Sequence, residues 1–116
     1  MIQAILEEAL PDIAKDQVDR FRRYYEILTE RNKAVNLTAI TEPREVAQKH
    51  FLDSLLPVNM GLLPQNARCI DVGTGAGFPG IPLLILRPDL TMVLLDSLNK
   101  RVVFLREALE ILGLHG

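Results

Sequence analysis

The sequence predicts an α/β fold, in which N-terminal helices precede the first β-α-β-α units of a doubly wound parallel sheet. Two short apolar runs, residues 67–72 and 91–95, have the composition of buried parallel strands. Glycines at 73, 75, 77 and 80 mark a tight turn after the first run. Because such sheets usually have about five or more strands, two strands indicate a chain that stops partway through the fold.

Two helices are expected first. A helical period of apolar residues begins at Ile2 and is stopped by Pro11. Asp16 is a suitable N-cap for a second, longer helix. Its apolar face is predicted to consist of Val18, Phe21, Tyr25 and Leu28.

A third helix is expected between Thr41, a candidate N-cap, and Pro57, with Pro43 in its first turn. The segment 61–66 that follows contains glycine and proline and reads as a connector. We therefore predict an N-terminal helical region over residues 1–60. Residues 61–116 would form the incomplete first half of a nucleotide-binding domain.

The second half alternates strand and helix. After the first strand and the glycine turn, a helix is predicted from Gly80 to about Leu86. The second strand is followed by a last helix, for which Ser97 is a candidate N-cap and Gly113 the C-terminal cap. A right-handed crossover would make the two strands parallel neighbours.

Composition excludes few classes of function. The net charge of −2 gives no electrostatic reason to expect nucleic acid. A single cysteine, Cys69, excludes an internal disulfide, and no secretory signal or spanning apolar run is evident, so a cytoplasmic protein is the expectation. Basic residues between Arg20 and Lys33 alternate with acids, which favours a paired, solvated surface over a phosphate-binding one.

Two acids flank the glycine turn in the pattern of a nucleoside pocket. Asp71 lies in the first strand, and Asp96 directly follows the second, where a carboxylate can accept hydrogen bonds from ribose hydroxyls. Gly75, Gly77 and Gly80 formally match the dinucleotide pattern G-x-G-x-x-G.

The dinucleotide interpretation is nevertheless the weaker one. The glycine that directly follows the strand is Gly73, and counted from there the pattern fails because residue 78 is Phe. The negative charge of Asp71 would also repel a pyrophosphate at the helix N-terminus. The acid suits S-adenosylmethionine, which carries an ammonium and a sulfonium. Nicotinamide or flavin dinucleotides and a purely structural turn remain alternatives.

Four segments together resemble one family, the glucose-inhibited division protein B (RsmG) family of bacterial methyltransferases. They are residues 36–40, 50–55, 71–82 and 95–101. The resemblance covers nearly the whole chain but about the first half of the family's length. It implies a Rossmann-like class I methyltransferase fold and S-adenosylmethionine-dependent methylation of guanine N7 in small-subunit (16S) ribosomal RNA.

The resemblance also implies site residues. Gly73 and Phe78 fall where the family contacts the cofactor, with Asp71, Gly75 and Asp96 beside them. Asn36 falls in a motif expected to face the methyl group and is the candidate catalytic residue, with an asparagine that stabilises its loop as the alternative. The N7 atom already presents a lone pair, so no general base and no metal is expected.

Several alternatives stay open. His50 is expected to be a packing histidine, with a role in the site as the alternative, and Lys100 and Arg101 could contact RNA phosphate, the cofactor or solvent alone. As another class of function, the chain could be a non-catalytic fragment that binds a partner or self-associates through the open edge of its unfinished sheet.

Overall fold

The computed structural model describes residues 2–35, 37–38 and 42–115. The helices are α1 (Ile2–Ala9), α2 (Lys15–Val35), α3 (Pro43–Glu45), α4 (Leu56–Asn59), α5 (Gly80–Leu86) and α6 (Asn99–Leu112), with a π-helical segment, Val46–Leu52, directly after α3. The strands are β1 (Arg68–Val72) and β2 (Thr91–Leu95).

The described residues form a mixed helix and strand structure around one two-stranded parallel sheet, as predicted. β1 and β2 pair in register from Arg68 opposite Thr91 to Val72 opposite Leu95. Both strands therefore end at the same edge, where the glycine turn and the segment before α6 begin. α5, between the strands, is buried along nearly its whole length.

Helix α2 differs from its prediction at two points. It begins at Lys15, so Asp16 lies inside the first turn, where its charge favours the helix dipole, rather than at the N-cap. The buried face contains Tyr24 and not Tyr25, which is half-buried. Spacings of three and four residues both keep a side chain on one helix face, so adjacent tyrosines left the sequence pattern ambiguous.

The predicted third helix is divided. Thr41 lies outside the described residues, and Glu42 is the N-cap, with a side-chain oxygen accepting the N–H of Glu45 at 3.1 Å. The π-helical segment separates α3 from α4, and π-helical turns inside helices are frequent at functional sites. The apolar residues Val46 and Phe51 still reach the core as expected.

One hydrophobic core extends through both predicted regions. Tyr24 and Phe51 from the N-terminal helices belong to the same buried cluster as Ile81 and Leu84 of α5 and Phe104 of α6. The helices thus cover one face of the sheet, and the division at residue 61 stays a prediction.

The other face of the sheet is exposed and apolar. It consists of Ile70, Val72, Val93 and Leu95, and the exposed fraction reaches 65% for Ile70 and 77% for Val72. Parallel sheets are ordinarily covered on both faces, so these side chains form a surface suited to further packing. Among the described helices, none is long and apolar enough to cross a membrane.

Candidate functional site

A cleft opens at the edge where both strands end. Its volume is about 490 Å³, and its lining consists of Val72, Gly73, Leu95, Asp96, Ser97 and Arg101. Ligands of open α/β sheets bind outside the carboxyl ends of the strands, so this cleft has the expected location for a nucleoside. Its volume falls in the usual range for small-molecule sites.

Asp96 joins the two sides of the cleft. Its Oδ2 accepts the N–H of Gly75 at 2.9 Å, and its Oδ1 accepts the N–H of Leu98 at 3.0 Å. The guanidinium of Arg101 lies 3.6 Å from Oδ1. These backbone bonds, that of Leu98 first, and the Arg101 charge hold the pKa of Asp96 below its usual value, although burial opposes them. The Asp96 side chain is 3% exposed. A carboxylate has about four acceptor positions, so a hydroxyl that reached this side chain could still be accepted.

The glycine turn leaves open space beside the cleft. Gly73 and Gly75 have φ values of 71° and 60°, a backbone conformation that residues other than glycine rarely adopt. A Cβ atom at either position would have no neighbour within 4 Å, so the missing side chains leave unfilled room. The N–H groups of Gly73 and Thr74 both donate to the Leu95 carbonyl, at 2.8 and 3.0 Å, which fixes the turn against β2.

Asp71 holds the turn from within. Its Oδ2 accepts the Thr74 hydroxyl at 2.6 Å and the N–H of Gly80 at 3.0 Å. A Cβ atom at Gly80 would lie 2.2 Å from a methyl carbon of Leu94, so any larger residue here would require Leu94 to shift. The carboxylate therefore connects the end of β1 to the first residue of α5.

Phe78 lies behind the turn, in an aromatic cluster. Its ring stacks on His50, with centroids 4.3 Å apart and planes inclined by 9°, and it also contacts Tyr24 and Phe51 at 5.5 and 6.1 Å. Phe78 is not among the residues that line the cleft. The structure thus places Gly73 and Asp96 in the lining of the cleft, Asp71 at the end of β1, Gly75 in the turn and Phe78 behind the turn.

His50 connects the turn to the segment that carries the candidate catalytic residue. Its Nε2 is 3.0 Å from the Thr38 hydroxyl, and the Thr38 N–H donates to Asn32 Oδ1 at 2.8 Å. Partial burial lowers the pKa of His50, and the charge of Asp53 opposes that shift. Asn36 itself lies outside the described residues.

Arg101 is a cleft residue that the sequence left undecided. Its Nε is buried and has no hydrogen-bond partner within the part of the chain that the structure describes. Ser97, predicted as a helix cap, lines the cleft instead, and Leu98 occupies the N-cap position of α6. The start of a helix leaves its first backbone N–H groups without intrahelical partners. Here the N–H of Leu98 donates to Asp96 instead.

The basic residues of α2 are mostly paired. Arg20 lies 3.8 Å from Asp16, Arg22 lies 3.2 Å from Asp19, and Lys33 lies 3.6 Å from Glu30. Arg31 reaches across to Glu107 on α6, at 2.8 Å. These contacts favour the paired, solvated surface over a phosphate-binding one.

Residues 2–35, 37–38 and 42–115 contain no group of three or more His, Cys, Asp or Glu side chains able to hold a metal ion. The polar side chains that line the cleft carry a carboxylate, a guanidinium and a hydroxyl. This set suits hydrogen bonding to hydroxyls and bases of a nucleoside.

Comparison with known proteins gives one consistent result. Residues 17–116 match the GidB family, described as rRNA small subunit methyltransferase G. A protein of Desulforamulus reducens named ribosomal RNA small subunit methyltransferase G is 54% identical over 103 residues, which cover 89% of this chain and 43% of that protein.

Proteins with the same name from two other organisms agree. The one from Pelotomaculum thermopropionicum is 55% identical over 88% of this chain and 43% of its own length. The one from Streptococcus thermophilus is 48% identical over 96% of this chain and 47% of its own length. The chain therefore spans less than half the length of these relatives.

Proposed function

Because the chain belongs to the GidB family of rRNA small subunit methyltransferases, we propose that it supplies the cofactor-binding part of such an enzyme. The proposed reaction is methyl transfer from S-adenosylmethionine to guanine N7 in small-subunit ribosomal RNA, on a Rossmann-like class I scaffold. The observation that carries the proposal is the cleft between Gly73 and Asp96, at the carboxyl ends of two parallel strands. A cytoplasmic location belongs to the same proposal.

The chain's own residues fit this cofactor. Asp96 is ionised and retains acceptor capacity, so it would receive the ribose hydroxyls. The unfilled space at Gly73 and Gly75 would admit the methionine part close to the backbone. Arg101 brings an N–H group, buried and without a partner among the described residues, to the same cleft.

The charge at the turn favours a cationic ligand over a diphosphate. Asp96 lines the cleft. Asp71, at the end of β1, is hydrogen-bonded to Thr74 and Gly80 of the turn that a pyrophosphate would have to approach. Arg101 alone among the cleft-lining residues is basic. This arrangement supports a sulfonium and ammonium ligand.

S-adenosylmethionine supplies an electrophilic methyl group. The guanine N7 lone pair needs no base to create it, so the protein's task is to align the two reactants. Asn36, carried on the segment that His50 and Thr38 connect to the turn, is proposed to face the transferred methyl group. Glycine-turn backbone and Asp96 would hold the donor in place.

Calorimetric titration of the 116-residue chain tests the cofactor. S-adenosylhomocysteine, the demethylated product, is titrated in parallel with NADH. Binding of S-adenosylhomocysteine alone is expected. Binding of NADH alone would favour the dinucleotide alternative, and binding of neither would count against the proposed site.

Activity is tested on a chimera. The chain is joined to the part of the Desulforamulus reducens relative that lies outside the match. Small-subunit rRNA from cells lacking the endogenous enzyme is the substrate, and mass spectrometry of nucleosides is the readout. The chimera is expected to form 7-methylguanosine, and an Asp96→Ala chimera that folds is the matched control. Methylation elsewhere on guanine would overturn the N7 assignment.

A second candidate function, self-association, is favoured by the exposed sheet face at Ile70, Val72, Val93 and Leu95. A second copy of the chain is the proposed occupant, because two identical apolar faces can bury each other and each strand keeps an open edge. Sedimentation velocity should show a dimer that Val72→Lys dissociates. A monomer at all concentrations would refute it.

A further inference from the structure

Tyr24, on helix α2, contacts the glycine turn through its hydroxyl group. Its side chain is fully buried in α2, and its hydroxyl donates to the Ala76 carbonyl at 2.5 Å. The two residues are 52 positions apart in the chain. The hydroxyl is thus a long-range tie between the N-terminal helices and the turn beside the cleft.

The Tyr24 hydroxyl also lies close to Gly77, the residue that follows Ala76. A Cβ atom at Gly77 would lie 2.6 Å from the Tyr24 hydroxyl oxygen, and Gly77 has a φ of 104°. Because residue 77 has no side chain, the backbone of the turn can approach the Tyr24 hydroxyl closely. Any larger residue would separate the two.

The ring of Tyr24 is held independently of its hydroxyl. It stacks on Phe51, with centroids 5.5 Å apart and planes inclined by 18°, and it contacts Phe78 at 5.5 Å. Loss of the hydroxyl would therefore leave the ring in place. Burial, and then the charge of Asp71, raise the pKa of Tyr24 well above its usual value, so the hydroxyl remains a donor at neutral pH.

Gly75 and Ala76, adjacent residues of the turn, are hydrogen-bonded to two different parts of the structure. Gly75 donates its N–H to Asp96 on the β2 side, and Ala76 accepts from Tyr24 on the helix side. Gly77 and Phe78 donate to the Thr74 carbonyl at 3.0 and 3.1 Å, which closes the turn itself. Among the described contacts of residues 75–77, the remaining hydrogen bonds to other elements would be the one to Asp96 and that from the Ile81 N–H of α5 to the Gly77 carbonyl, at 2.7 Å.

We propose that Tyr24 is a positioning residue, whose hydroxyl holds the glycine turn in the conformation that meets the cofactor. The N-terminal helices then contribute to cofactor binding without touching the ligand. This inference rests on the proposed function for its ligand, while the hold on the turn belongs to the free chain.

The test is Tyr24→Phe, which removes one oxygen atom and keeps the ring. Hydrogen exchange of the Gly75, Gly77 and Phe78 amides is measured without ligand, and S-adenosylhomocysteine affinity by calorimetry. Exchange of these amides is expected to be about threefold to tenfold faster and Kd weaker by a similar factor, as loss of one neutral hydrogen bond implies. Exchange within α6 should be unchanged.

Tyr25→Phe is the matched control, because Tyr25 is the next residue on the same helix and lines a different cleft, beside Gln3 and Pro43. It should leave turn exchange and affinity at wild-type values. A folded Tyr24→Phe protein with wild-type turn exchange would overturn the inference. Faster exchange with unchanged S-adenosylhomocysteine affinity would overturn it too.

The two proposals fail separately. If the wild-type chain binds no S-adenosylhomocysteine while Tyr24→Phe still accelerates exchange of the turn, the proposed function fails and the anchoring stands. If the wild-type chain binds and Tyr24→Phe has no effect on either measurement, the anchoring fails and the proposed function stands.

Discussion

The imidazole of His50 lies parallel to the phenyl ring of Phe78, with centroids 4.3 Å apart. Phe78 follows the glycine turn, and His50 Nε2 is in hydrogen-bonding distance of the Thr38 hydroxyl. One histidine therefore packs against the proposed cofactor turn and also contacts the segment of the proposed catalytic Asn36. The stacking agrees with the packing role expected of His50, and a role in the site stays a prediction.

His50 is expected to make the chain less stable in mild acid. Partial burial lowers its folded pKa below the ordinary 6.5. Below pH 6.5 the unfolded chain then binds a proton that the folded chain resists. Its stabilising contribution is complete above that pH and is lost as the pH falls from there through the folded pKa. Urea denaturation at about pH 7.5 and about pH 5 measures the loss.

His50→Asn is the control for this pH dependence, because it removes the titrating group while His115 remains. The variant should lose less stability between the two pH values than the wild type does. An identical loss in both proteins would contradict the assignment to His50.

Asp96→Ala is predicted to weaken S-adenosylhomocysteine binding by about tenfold to a hundredfold, the effect typical of losing a hydrogen bond to a charged group. The change removes the proposed ribose acceptor and the acceptor for the Gly75 N–H. Calorimetry gives the affinity, and circular dichroism establishes that the variant is folded. Asp12→Ala, at an exposed position outside the cleft, should bind like the wild type.

Arg101 and Lys100 offer a matched pair of adjacent basic residues. Arg101 lines the cleft, whereas Lys100 lies in a different one beside Glu107 on the other side of α6. Arg101→Met is predicted to weaken S-adenosylhomocysteine binding by about threefold to tenfold, and Lys100→Met to leave it unchanged. Because the Arg101–Asp96 distance is 3.6 Å and Arg101 is partly exposed, little stability should be lost. Equal affinities in the two variants would exclude Arg101 from the site.

Asp89 is predicted to hold the connector in place above acidic pH. It pairs with Arg87 through two contacts of 2.8 Å and accepts the Asn66 N–H, while Arg87 also donates to the Leu63 carbonyl. The hydrogen bond from Arg87, then that from Asn66, keep the pKa of Asp89 far below 3.8. The stabilisation is therefore present above pH 3.8 and is lost as the pH falls through the lower folded value.

Asp89→Asn should accordingly lower the melting temperature at neutral pH, and the difference from the wild type should narrow in strong acid. Differential scanning calorimetry across this pH range measures both. A variant as stable as the wild type at pH 7 would show that the clamp contributes nothing to folding.

Local sequence patterns located the strand ends and the glycine turn, whereas the functional roles of the residues there stay predictions. Strand composition, the glycine spacing and the acid after β2 each depend on a local requirement, and Gly73 and Asp96 do lie in the lining of one cleft. The same local patterns misplaced Asp16 and Ser97 as caps, since several polar residues near a helix start are chemically suitable. The hydrogen bond from the Gly75 N–H to Asp96 depends on how β1 and β2 pair, so it could not be predicted from the sequence.

Tertiary packing decided the remainder. Tyr24 and Tyr25 are equally compatible with a helical period, and only the packing of the core shows that Tyr24 is the buried one. Its tie to Ala76 joins distant parts of the chain, which no periodicity reports. The π-helical segment after α3 likewise has no sequence signal in the pattern of apolar residues, because Val46, Ala47 and Phe51 fit either helix type.

The most direct test of the central claim is an amide chemical-shift map of the chain during titration with S-adenosylhomocysteine. The largest changes are expected at Gly73, Gly75, Asp96 and Ser97, around the cleft at the strand ends. Changes confined to another surface, such as the cleft beside Gln3 and Arg22, or no change at saturating ligand, would contradict it.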